Sequence, residues 1–526
     1  MIAPLRSKSS KHKMTGLPTS TPALMPAPTK GWYVGANIAD APAGTAYILD
    51  NAFPQLDYIR MRRGSASWAT GMTSATVSTI MTYNGPTSSK MFAAVSGSIY
   101  DVSSSGAVGA AAVTGLNSSA NLEYVQFTGT GGSYLIAVNG QDPAQLYTGS
   151  AWTTSPAITG LTGNPLAQLA IFKSRVYGVE RDTLNVWYLA VDSIGGAATK
   201  FSLSSIFKYG GSLIAVASWA ISSNSGLYEV FVALTSEGEV AIYDGGYPGD
   251  PAWTIKGLYK ISKPLGRRCL LKAGGDLAIM TEDGIVPMSS VMTLDQIALQ
   301  NKAVTAPIAP AWRTAVLARQ GISGWQIATW PLESMAIVCL PKATAGDATQ
   351  FIANARTGAW ARYLGWDANC FGVYNNQLFY GTSDGRVMQA ETGGQDDGKN
   401  YTWTVFPSYS HLGSKAARKL VKMVRPRIQA SFPIAPQITI KTDYDTTAPA
   451  NPSANPISAT GAVWDTAKWD IDVWPADLSD QSAWGAAQGL GMVVSPVIQL
   501  TLSTTQTPDI RLTATEVLYE GANSLG

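Results

Sequence analysis

Three short segments of this chain read almost as copies of one another: Thr235-Ser-Glu-Gly238-Glu-Val240, Thr281-Glu-Asp-Gly284-Ile-Val286 and Thr382-Ser-Asp-Gly385-Arg-Val387. Each follows an apolar stretch, at 230–234, 277–280 and 378–380. An acid followed by glycine between two apolar runs is a hairpin turn, because glycine supplies the positive φ that tight turns need. Gly238 and Gly284 lie 46 residues apart, and Gly284 and Gly385 lie 101 apart, close to twice that interval. Looser relatives stand upstream at Ser96-Gly97-Ser98, Asn139-Gly140 and Arg181-Asp182. A repeat of about 40–55 residues carrying several short strands is the spacing of propeller blades. The expected fold is therefore all-β, with a β-propeller of six or seven blades over 85–394. One blade reads most fully over 335–390, with strands at 335–340, 350–360, 371–380 and 387–390. A sandwich with irregular insertions is the rival architecture.

Composition agrees with strands and turns. The chain has 526 residues, long enough for two or three domains. Only 14% are charged, against about 25% in an average globular protein, while Gly (51) and Trp (16) are plentiful. A coiled coil, a collagen and a disordered chain are excluded. Sparse charge also suggests that much of the surface meets other subunits. Net charge is +2, so no bulk attraction to nucleic acid or to a membrane is implied. Cys269, Cys339 and Cys370 form neither a disulfide framework nor a zinc spacing. No apolar run approaches the ~20 residues of a membrane span. No apolar stretch follows the basic N-terminal residues, so no secretory signal is expected and folding should occur in a reducing cytosol.

Four regions follow. Residues 1–30 carry Arg6, Lys8, Lys11, Lys13 and Lys30 with no acid before Asp40. They should form a flexible basic arm that orders only on a partner subunit, with fixed structure starting near Gly31-Trp32. Residues 31–84 should be a β segment belonging to a platform. The propeller at 85–394 should contain an insertion near 290–320 with a little helix, broken by Pro307 and Pro310. Residues 395–526 alternate apolar and polar positions, as in 420–428, and should form a β-sandwich-like platform. Trp464, Trp469, Trp474 and Trp484 fit no single period. A loop against its own sandwich and a loop on a subunit interface both fit them.

Chemistry is thin. His12 and His411 are the only histidines, and no hydrolase elbow, phosphate loop or zinc-protease motif occurs. The acids Glu237, Glu282, Asp283 and Asp384 occupy the repeated turns, where turn geometry explains them. No catalytic residue, cofactor or metal ligand is assigned. Two basic clusters remain as possible interface or channel residues: Arg60, Arg62 and Arg63, and the run Lys415, Arg418, Lys419, Lys422, Arg425 and Arg427. The second would present one basic and one apolar face, toward a subunit, solvent or passing DNA phosphates. The alternative function is a carbohydrate-binding or carbohydrate-degrading propeller, a receptor-binding protein or depolymerase. The turns slightly resemble sialidase Asp-boxes, yet no Trp closes them.

Gly44-Thr-Ala-Tyr-Ile-Leu-Asp-Asn-Ala-Phe-Pro54 and Tyr58-Ile-Arg-Met-Arg-Arg-Gly64, followed by Ser-Ala-Ser-Trp-Ala-Thr-Gly71, resemble the N-terminal signature of tail proteins from short-tailed bacteriophages and related prophages. Asn354-Ala-Arg-Thr-Gly-Ala-Trp360, 371–381 and 513–521 do likewise. The group these motifs resemble is the tail nozzle, or tail tubular, proteins. That resemblance implies a hexameric ring below the portal and adaptor, with a propeller on each subunit and a β-rich platform around the channel through which genomic DNA leaves. It implies partners in the portal-adaptor and in tail fibre or tail-needle proteins, and a place in the virion tail after assembly in the host cytoplasm. It carries over no active-site residue.

Overall fold

The computed structural model describes residues 20–521 apart from 36, 120, 224–225, 345 and 457–477. The fold is all-β in its framework, with three short α-helices and three single-turn 3-10 helices among the described residues. From 65 onward the chain builds small antiparallel meanders in succession. The first sheet holds Val77–Asn84, Ser89–Val95 and Ser98–Asp101; the second Glu123–Gly129, Gly132–Val138, Gln145–Tyr147 and Trp152–Thr153. The third holds Leu166–Phe172, Arg175–Glu180, Asn185–Tyr188 and Thr199–Ser202; the fourth Leu213–Ser223, Gly226–Thr235, Glu239–Asp244 and Thr254–Lys260. Leu270–Ala273, Asp276–Thr281 and Gly284–Pro287 make the fifth. Gln326–Trp330, Met335–Cys339, Thr349–Asn354 and Trp360–Leu364 make the sixth. The seventh consists of Cys370–Tyr374, Gln377–Gly381 and Val387–Ala390, completed by Ser65–Thr70 from ahead of the first sheet.

The first strand of each sheet lies beside the first strand of the next, and Cys370–Tyr374 lies beside Val77–Asn84, so the succession closes on itself. The cause is in the strands. Their alternating side chains give each sheet two apolar faces, and these are buried between successive sheets. Phe92, Tyr147 and Trp152 fill the space between the first and second, while Phe172, Tyr177 and Phe231 fill that between the third and fourth. Ser65–Thr70 pairs with Val387–Ala390 and brings Ala69 into the cluster shared by the seventh and first sheets.

Two further sheets face each other as the platform. Ile510–Gly521 and Lys419–Ala430 are the long central strands of one, flanked by Ala52–Pro54, Ile59–Met61, Thr21–Pro26, Ser479–Asp480 and Gly485–Gly491. The other is a continuation of the sixth sheet. Trp360–Leu364 touches Ala46–Asp50 in parallel at Asp50 and Arg362, and Thr402–Pro407, Val494–Ser503 and Gln437–Thr442 follow. A single nine-stranded sheet thus runs from the ring into the platform.

Several boundaries differ from expectation. The arm over 1–30 ends earlier, because Thr21–Pro26 pairs along Ile510–Gly521 within the same chain; residues 1–19 lie outside the described residues. The segment 31–84 is divided. Its first strands join the platform, whereas Ser65–Thr70 and Val77–Asn84 belong to the ring. The blade read over 335–390 is two sheets, because the turn after Leu364 starts a new first strand at Cys370. The insertion holds α1 (Met288–Val291), α2 (Gln296–Lys302) and α3 (Ala309–Ala318). Pro310 opens α3 instead of breaking it, since the first helical turn needs no amide donor there. Trp464, Trp469 and Trp474 lie outside the described residues.

Candidate functional site

The repeated turns fall at one equivalent place. Gly238 and Gly385 sit between the second and third strands of their own sheets, as do Gly97, Gly140 and Asp182, and Gly284 opens the third strand of its sheet. Gly238 and Gly385 have φ of +81° and +84°, and Gly284 +139°. A Cβ on Gly238 would collide with the carbonyl of Ile261, and one on Gly385 with that of Thr73. Both carbonyls belong to connectors leading to the next sheet, so glycine is required twice, for its dihedral and for this close crossing. The threonine of each motif is buried and its hydroxyl closes the turn. Thr235 Oγ1 accepts from the Glu239 amide at 2.9 Å, and Thr281 Oγ1 donates to Gly284 O at 2.7 Å. Asp384 accepts from Thr382 Oγ1 and pairs with Arg386, so this acid is occupied in its own turn.

Arg60 and Arg62 are not interface or channel residues; they are buried inside the subunit. Arg62 uses all five guanidinium N–H groups. Nε donates to Asn51 Oδ1 (2.8 Å), Nη1 to Arg63 O and Asp396 Oδ1 (2.9 Å each), and Nη2 to Leu364 O (2.9 Å) and Asp396 Oδ2 (2.5 Å). The Tyr401 ring lies 3.7 Å below its Cζ. Burial is the largest influence and disfavours the charge; Asp396, Tyr401 and Glu391 together outweigh it, so the guanidinium pKa is raised. Arg60 pairs with Glu391 (3.2 Å) and Glu333 (3.4 Å). Arg63 keeps part of its side chain in solvent, 3.8 Å from Glu333.

This cluster is a joint between ring and platform. Asn51 also accepts from the Leu364 amide and donates to Thr402 O, and Asn354 donates to Pro54 O at 2.9 Å. Trp360 Nε1 reaches Val304 O, and Ile510–Gly521 pairs with Ile59–Met61. While 514–521 pairs with Thr21–Pro26 and with 419–427, residues from two of the stretches that carry the family resemblance, 44–64 and 354–360, therefore meet here. Their partners lie about 300 positions away in the chain, and no local pattern announces them.

The second basic cluster lies along one platform strand. Lys419 is buried; its ammonium donates to Ser414 O and to Met492 O, and burial pushes its pKa down. It is thus removed from the surface role expected of it, because alternation along the strand turns it inward with Val421. Lys422 lies 3.4 Å from Glu520, and Arg425 and Arg427 both grip Glu516, which lowers that carboxyl's pKa. Arg425 also stacks over Trp484 at 4.8 Å. Lys415 and Arg418 are exposed in the preceding turn. The cross-strand acids on Ile510–Gly521 make the face an ion-pair ladder and not a bare positive stripe.

The axis of the ring is polar, a feature that sequence reasoning missed. Gln126 exchanges two hydrogen bonds with the backbone of Asn84 (2.6 and 2.8 Å), Gln168 with Val216 (3.1 and 3.0 Å) and Gln326 with Phe371 (3.1 and 2.9 Å). Each pair ties one sheet to its neighbour. In Leu166–Phe172 the available signal was a single glutamine in an otherwise apolar strand. Arg268, ahead of the fifth sheet, reaches the first and second: Glu123 at 2.7 Å, Ser78 O at 3.0 Å, Thr79 Oγ1 at 2.6 Å and Leu122 O at 2.7 Å. Two cavities, of 440 and 570 Å³, adjoin where Arg267, Arg268 and Glu123 line both.

Among the described residues no three His, Cys, Asp or Glu side chains gather as a metal site, and no helix is long and apolar enough to cross a membrane. The three cysteines are buried and free; burial pushes the thiol of Cys370 up to about 11 and that of Cys269 to about 12. His411 sits in a turn with Nδ1 buried and, among the described residues, unpartnered. No family model and no curated protein matches the chain. Among solved structures it has a likeness to the computationally designed protein Ika8, over 62% of this chain and 99% of that one, at 11% identity and a TM-score of 0.35.

Proposed function

We propose that this chain is a structural subunit of a bacteriophage tail nozzle, which assembles into a hexameric ring and extends the channel for DNA ejection. In this reading the closed succession of seven sheets is a β-propeller and the paired sheets are the platform. The observation that carries it is the meeting of two of the resembling stretches, 44–64 and 354–360, at the Arg62 joint. What these stretches share is a means of fixing one domain on another, as a load-transmitting ring subunit needs, and not a set of reactive groups. Of the acids in the repeated turns, Glu237 pairs with Lys263, Asp384 pairs with Arg386, and Asp283 accepts from Ser262 and Gln300, uses that suit a non-catalytic chain.

A conduit must let DNA pass, and every phosphate neutralised adds affinity through counterion release. Interleaving Glu516 and Glu520 among Lys422, Arg425 and Arg427 leaves that face nearly balanced, whether it meets a neighbouring subunit or the channel. Docking to portal-adaptor and fibre or needle proteins, and residence in the virion tail after assembly in the host cytoplasm, belong to the same proposal. Electron microscopy of the purified protein is the test. Rings of six without added ligand are expected. A chain that stays monomeric at high concentration and releases reducing ends from a host polysaccharide would overturn the proposal in favour of the carbohydrate-active propeller.

A further inference from the structure

The inner axial cavity carries more positive charge than its surroundings neutralise. It is walled by the first strands of six sheets, so its shape is set by the closure of the ring rather than by one mobile loop. Arg267, Arg268 and Lys272 line it, and Glu123 is the one carboxylate in its wall. Glu123 is already engaged by Arg268 at 2.7 Å. Lys272 Nζ has a single hydrogen bond among the described residues, to Ser218 Oγ at 2.6 Å. Arg267 Nε is shielded from solvent and, among the described residues, has no partner. The nearby glutamines are spent on neighbouring backbones.

An N–H buried without an acceptor costs free energy that an incoming acceptor recovers. Two unneutralised cations in a walled cavity also focus positive potential into it. We propose that this chamber binds a small oxyanion, a phosphate or a carboxylate, held between Arg267 and Lys272. At 440 Å³ the space exceeds a lone ion, so the anionic group can be carried by a molecule of about one sugar ring. Arg268 closes the inner end against Ser78 O and Leu122 O, while Lys272 keeps an exposed flank through which a ligand enters. This assignment does not depend on the nozzle reading.

The test uses the full chain, with inorganic phosphate and glucuronate titrated separately against chloride at equal ionic strength and read by calorimetry and thermal midpoint. Saturable binding of at least one is expected. Preference for phosphate identifies a free phosphate or phosphate ester as the ligand, and preference for glucuronate an acidic sugar. Lys272→Gln and Arg267→Gln should each weaken binding roughly tenfold, the loss of one charge-assisted hydrogen bond. Lys272→Arg should retain binding within a few-fold, which keeps the test valid if a glutamine variant folds poorly. Arg427→Gln, on the platform, should change nothing. Absence of saturable binding by either anion, or equal binding by the Lys272→Gln/Arg267→Gln double variant, would overturn the proposal.

Discussion

The two basic clusters look alike in the sequence and are opposites in the structure. Arg60, Arg62 and Arg63 lie at the joint of ring and platform, two of them buried, with Arg62 saturated by hydrogen bonds and stacked on Tyr401. Lys422, Arg425 and Arg427 line the outer side of a platform strand and meet acids on the next strand. Burial decides what each charge is worth. In the joint a buried cation is held by buried partners, most fully at Arg62, while Arg60 Nε and Glu391 Oε1 have none among the described residues. On the open face water substitutes for a lost partner, and an ion pair contributes little to folding.

Substitutions should reproduce that contrast. Arg62→Ala leaves Asp396 buried without its cation and empties the space above Tyr401, so a loss of about 3–5 kcal/mol is expected in urea unfolding. A loss below that of a surface variant would mean that the joint is hydrated. Lys419 sharpens the comparison, since it belongs to the second cluster by sequence and is buried like the first. Lys419→Met removes the donor to Ser414 O and Met492 O, and about 1–3 kcal/mol should be lost. If Lys419→Met were neutral, position in the strand rather than burial would govern the cluster.

Glu516 gives the pH test on the open face. Hydrogen bonds from Arg427 and Arg425 hold its pKa below the ordinary 4.5. A carboxyl whose folded pKa is depressed contributes stability above the unfolded value, and that contribution is lost as pH falls through the folded value. Acid unfolding followed below pH 4.5 should therefore be less steep in Glu516→Gln. Identical acid limbs for both proteins would show that the pair between the strands is absent in solution.

How far the sequence could be read follows from the same distinction. The turns at Gly238, Gly284 and Gly385 were legible because threonine, acid and glycine act within a few residues of one another. Strand alternation in 419–430 was legible too, but the register shift between Val421 and Met423 blurred which side chains face inward. The joint was not legible. The groups that meet there come from 51–62 and from 354–396, about 300 positions apart, and an arginine destined for burial looks like any other in a linear pattern. Ser65–Thr70 was misplaced for a related reason, since its partner strand Val387–Ala390 lies at the far end of the ring.

Lys422→Glu is the smallest perturbation to the subunit and the most direct probe of what the open face does. Lys422 is 41% exposed and lies 3.4 Å from Glu520. Its replacement puts two carboxylates side by side, yet at this exposure the thermal stability of the isolated subunit should move by less than about 1 kcal/mol. Under the proposed nozzle reading, the effect of the same substitution on the hexameric assembly is of another kind. If the face meets a neighbouring subunit, the new like-charge pair is desolvated there and ring formation, measured by light scattering, should fall while folding is intact. If the face borders the channel, rings should form normally and the salt dependence of DNA release from virions should change, because one phosphate contact has been exchanged for repulsion. Unchanged folding, assembly and release together would put this face on the outside of the particle, and the ladder along 419–430 would then be a device of sheet stability alone.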